Sequence, residues 1–153
     1  MLDWLLNLLG FGGEDRSGYN KGLIKELEKE HEQLIGKINK MIGMMDVLNE
    51  YMVKKHIDEF KVELLSYFMK DEFKFIKYLT DHYSEDKETL GKIKTYEEEL
   101  KDMKKDIISL LDKSMGEDSI FKDKVTKHLK SVIFIMKSRL ELQSKELFDL
   151  YKK

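Results

Sequence analysis

Several side chains that can do chemistry recur at helical spacing among apolar residues: His31, Asp71 and His128, with Tyr67, Arg139 and Gln143 in the same stripes. A polar group in a core position needs a partner or costs several kcal/mol, so each asks for a reason. Glu99 stands beside its own stripe, one turn from Tyr96 and Met103. Imidazole nitrogen and carboxylate oxygen are donors for iron, manganese or zinc. Facing helices that present them inward are how four-helix bundles build metal centres. Counted from the turns at 1.5 Å per residue, His31, Asp71 and Glu99 fall at similar heights, whereas His128 lies too near its turn to match Glu99. The plainer alternative pairs Asp71 with Arg139, one of two arginines in the chain, as a buried ion pair that fixes helix register. In that alternative the histidines are hydrogen-bonded core residues.

Other chemistries find less support. There is no cysteine, which excludes disulfides, thiolate nucleophiles and cysteine-held metals. No two of the four histidines, His31, His56, His82 and His128, stand four apart. His82 reads as the end of a helix, favoured by the dipole there, and His56 as an exposed residue near a helix start. Met41 and Met45 sit at core spacing and read as core filling rather than soft-metal ligands. No nucleophile has a base at readable spacing and no glycine-rich loop follows a strand, so an enzyme is not expected. Acids and bases are interspersed at a net charge of −2, which gives nucleic acid no electrostatic footprint.

The elements that must position these residues follow from periodicity. The length of 153 residues fits one domain, and the absence of proline leaves helices uninterrupted. Leu27, His31, Leu34, Ile38, Met41, Met45 and Leu48 mark a helix over about 20–48. A second, over about 57–82, carries Ile57, Phe60, Leu64, Tyr67, Asp71, Phe75, Tyr78 and His82. The third, about 87–115, carries Ile93, Tyr96, Leu100, Met103, Ile107 and Leu110. The fourth runs from a cap at Asp118 or Ser119 to Leu150, with Val125, His128, Val132, Met136, Arg139, Gln143 and Leu147 inward. The expected fold is all-α: an antiparallel up-down-up-down four-helix bundle over 19–153, preceded by a short apolar helix and glycine-rich linker over 1–18.

That leader concentrates Leu2, Trp4, Leu5, Leu6, Leu8, Leu9 and Phe11 ahead of Gly12 and Gly13. So much apolar surface calls for cover. It carries no Lys or Arg before Phe11, which argues against a membrane surface, and no run approaches the roughly 20 residues of a membrane span. The expectation is a cytoplasmic protein whose leader caps the bundle, forms a homodimer or grips a protein partner, with Trp4, Leu5 and Leu8 as anchors.

His31 followed by Leu34 resembles the first helix of hemerythrin-like, HHE-type domains. In the stretch from Leu64 to Leu79, Tyr67 stands where that family has a histidine and Asp71 where it has a glutamate. Tyr96-Glu97-Glu98-Glu99-Leu100 is similar to an aromatic-x-x-Glu-hydrophobic pattern of one bacterial branch. The stretch from Arg139 to Tyr151 resembles that branch's last helix, with Gln143 in a position usually held by glutamate. The resemblance spans about 20–151. It implies a four-helix bundle with non-haem iron, one or two ions, used for oxygen or redox sensing or iron handling, on an eroded ligand set. His31, Asp71 and Glu99 would be the ligands, with Tyr67, His128 and Gln143 as weak or supporting donors and Glu72 as the nearest substitute carboxylate. The alternative is a metal-free interaction bundle that uses its N-terminal helix.

Overall fold

The computed structural model describes residues 18–113 and 121–153, and among these the regular elements are all helices, with no strand. Helix α1 is Leu23–Gly43. A second rod runs as α2 (Glu50–Lys70), a π-helical turn (Asp71–Ile76) and α3 (Lys77–His82) without leaving helical backbone angles. Helix α4 is Lys87–Lys113, helix α5 is Phe121–Glu146, and a 3₁₀ turn, Phe148–Leu150, follows. Four long rods thus surround one core. The α1 rod packs on α2 and α5, and α4 packs on α5, α2 and α3, which closes the ring. Trp4, Leu5 and Leu8, the rest of the apolar leader to residue 17, and the Asp118 or Ser119 cap lie outside the described residues.

The apolar stripes do what amphipathic spacing asks of them. Leu27, His31, Leu34, Ile38 and Met41 are all buried on α1, and Met45 and Leu48 continue the cover through the turn beyond it. Three boundaries differ from expectation, one being the fourth helix, which ends at Glu146 rather than Leu150. The first helix stops at Gly43 rather than Leu48, and the second starts at Glu50 rather than Ile57. The cause is Asn49, whose side chain accepts from the Met52 N–H at 2.8 Å and caps α2. His82 is exposed instead of closing the core stripe, its ring stacked on Tyr78 with centroids 5.3 Å apart.

Both ends of the helix stack are tied. At one, the Asn20 N–H donates to the Tyr151 hydroxyl at 2.8 Å, Tyr78 Oη donates to the Lys152 carbonyl at 2.7 Å and Tyr83 Oη to the Leu150 carbonyl at 2.8 Å. The rings of Tyr19, Phe75, Tyr78 and Tyr151 pack there, the closest pair, Tyr78 and Tyr151, with centroids 4.9 Å apart. At the other end, Lys61 Nζ donates to Asp112 at 2.5 Å and the Lys54 ammonium lies 5.8 Å above the Phe121 ring.

Candidate functional site

Asp71 opens the π-helical turn and is fully buried. Such turns insert an extra residue into a helix and are often found at functional sites. Here the turn widens the buried face, so that Lys74, Phe75 and Ile76 are all inside. Opposite Asp71, α5 presents Arg139 and Gln143 one turn apart, as i and i+4 neighbours on its inner face.

These three side chains meet. Arg139 Nη2 donates to Asp71 Oδ2 at 2.7 Å, and Gln143 Nε2 donates to Oδ1 at 2.8 Å and Oδ2 at 2.9 Å. Arg139 Nη1 donates to the Leu100 carbonyl on α4 at 2.7 Å. The guanidinium carbon sits 4.6 Å above the centre of the Phe68 ring, a cation–π contact in a desolvated place. The cluster therefore joins the second rod, α4 and α5 through one charged pair. Among the described residues, the buried side-chain atoms left without a hydrogen-bond partner are Arg139 Nε, Gln143 Oε1 and the Tyr67 hydroxyl.

His31 and Tyr67 form the next layer. His31 Nε2 lies 2.6 Å from the Met136 carbonyl, which can only accept, so Nε2 carries a proton. The His31 ring meets Tyr67 edge-on, with centroids 6.2 Å apart. Burial holds the His31 imidazole below its ordinary pKa; the Met136 hydrogen bond opposes this and the Arg139 charge adds to it. Burial, and then the Asp71 carboxylate, push the Tyr67 phenol well above its ordinary value.

Of the expected site residues, the structure brings Asp71 and Gln143 into contact and sets His31 and Tyr67 beside them. It does not bring in the other two. Glu99 is exposed on the outer side of α4, because the residue that α4 turns inward there is Leu100. His128 is half-buried at the rim, where part-burial and Lys124, Lys113 and Lys127 lower its pKa, and Leu129 takes the core position expected for it. Phe68, which carries the guanidinium, escaped the sequence reading because it lies beside the stripe of Leu64, Tyr67 and Asp71. Its signal was an aromatic residue next to an inward arginine's partner.

The residues present do not fit an iron site. Both Asp71 oxygens already accept from Arg139 and Gln143, and a fixed guanidinium charge stands where a cation would have to sit. The Gln143 amide turns its NH₂, not its carbonyl, to the carboxylate. Among the described residues, no three His, Asp or Glu side chains are grouped so that they could hold a metal ion. Compared with protein-family models, with curated proteins and with solved structures, the chain has no match.

Proposed function

We propose that this chain is a metal-free, non-catalytic helical interaction bundle, working in the cytoplasm and engaging protein surfaces through its apolar N-terminal segment. The observation that carries this reading is the closed Asp71–Arg139–Gln143 cluster. It neutralises the one fully buried carboxylate among the described residues with protein groups alone. In this reading the scaffold is related to hemerythrin-like domains, and the positions where that family holds metal ligands serve here to set helix register. An antiparallel up-down-up-down order is part of the proposal. It is supported by Asn20, Tyr78, Tyr83 and Tyr151 meeting at one end and by Lys61, Asp112, Lys54 and Phe121 meeting at the other. Among the described residues, no helix is long and apolar enough to cross a membrane.

Two measurements test the reading. Tag-free protein from iron-supplemented cells is expected to carry no stoichiometric iron, and its melting temperature should not move with chelator, since a metal bound to the folded state would stabilise it by mass action. One or two irons per chain would overturn the metal-free assignment. For the interaction, crosslinking in the native cells should trap a defined complex with the unsubstituted chain and lose it with Trp4→Asp and Leu8→Asp together. Identical crosslinks in both would remove the assigned role of the leader.

A further inference from the structure

The outer face of the second rod carries an apolar run that solvation does not require. Val62 is 69% exposed, Leu65 36% and Phe73 47%, with Met69 half-buried between the last two. The spacing of three and four residues places Val62, Leu65 and Met69 on one side of α2, away from the buried Phe60, Leu64 and Phe68, and Phe73 adds an exposed ring in the π-helical turn that follows. Exposed apolar residues scattered singly are ordinary, whereas a continuous set on one helix face marks a contact surface.

The described chain begins beside one end of this run. Gly18 and Phe73 line a common groove of about 340 Å³ with Lys74, Lys77, Tyr78, Asp81 and His82. Gly18 has a φ of 77°, which favours glycine, and a Cβ there would lie 3.7 Å from the Tyr78 ring. From Gly18, residues 12–17 can reach about 20 Å. As a helix, residues 2–11 would be about 15 Å long, close to the roughly 17 Å from Val62 to Phe73 along α2 and the turn after it.

We propose that the apolar N-terminal segment, residues 2–11, docks in cis along Val62, Leu65, Met69 and Phe73 on the outer face of the second rod. The inference rests on the interaction reading above and deepens it. The leader covers a surface of its own bundle until a partner competes for one or the other.

Trp4 is the one tryptophan of the chain, so its fluorescence reports this segment alone. The purified full chain should show blue-shifted emission, weak quenching by acrylamide and a monomeric mass, all unchanged on dilution. Val62→Asp with Phe73→Asp should return Trp4 to a water-like emission and raise the quenching slope severalfold, with unchanged helical circular dichroism. Both positions face solvent; should the double variant lose helicity, Val62→Asp alone, at the more exposed site, serves in its place. Three results would overturn the proposal. Water-like emission in the unsubstituted chain means no docking, and blue-shifted emission that survives the substitutions means another surface. Emission that reverts on dilution as a dimer dissociates means a second copy as the occupant. The measurement needs no partner, so failure to trap a complex in cells leaves it standing, while water-like Trp4 with an intact complex removes the docking alone.

Discussion

Asp71 sits in a place without water where two donors, Arg139 Nη2 and Gln143 Nε2, make three hydrogen bonds to its carboxyl group, and that convergence makes each donor hard to lose. Arg139→Met leaves a buried carboxylate with only the Gln143 amide and should destabilise the fold by about 3–5 kcal/mol, read as a lower urea midpoint. Replacing both partners, Asp71→Leu with Arg139→Met, removes the stranded charge and should recover most of that loss. A double variant no better than the single would show that the pair does more than neutralise itself. His31 adds a pH dependence. Its folded pKa is lowered by burial, so the unfolded chain binds a proton more readily than the folded one. Its contribution is complete above the ordinary value of about 6.5 and declines as the pH falls below it, until the folded imidazole also protonates. Between about pH 7.5 and about pH 5 the melting temperature should fall more steeply than in His31→Leu. Parallel curves would remove His31 as the titrating group. The facing groups that set its response are Arg139, Glu32 and Asp71.

Helix boundaries and rotations decide how much of this was readable beforehand. The apolar periods located the four rods, and the pairing of Asp71 with the inward Arg139 followed from two opposite charges in core positions of facing stripes. Rotation was harder. Glu99 and Leu100 are neighbours, as are His128 and Leu129, and about 100° of helix rotation separates an inward ligand from an exposed one. The π-helical turn was not readable at all. It shifts the phase after Lys70, so consecutive Lys74, Phe75 and Ile76 are buried where an α-helical period predicts one or two of them. The short turn between the first two rods depends on Asn49 as a cap. Asn49→Ala should cost about 1 kcal/mol in chemical denaturation, while Asn49→Asp, which keeps the accepting oxygen, should be nearly neutral. An equal loss in both would show that the amide acts elsewhere.

For the molecule as a whole, charge placement separates stability from solubility. Most ion pairs, such as Lys77 with Asp81 and Lys145 with Glu141, lie on exposed helix faces and add little. Lys70 differs: its part-burial disfavours the charge, yet hydrogen bonds to Glu26 and Glu30 hold its ammonium above the ordinary pKa and clamp α2 to α1. The tied end is packed by aromatic rings as well as hydrogen bonds. Tyr151 touches Tyr19, Phe75 and Tyr78 and is almost wholly buried. Tyr151→Ala should therefore cost about 3–5 kcal/mol and loosen both the start of α1 and the end of α3, visible as faster amide exchange there. Exchange that changes only near residue 151 would contradict the tie.

The bond from the Asn20 N–H to the Tyr151 hydroxyl spans 131 positions of sequence. At roughly 5–20 residues per second on the ribosome, the donor waits about 7–26 s for its acceptor to be synthesised. Through that interval the start of the first rod lacks its latch to Tyr151. A chain truncated before Tyr151 should be degraded far faster in a pulse-chase measurement than one that includes it.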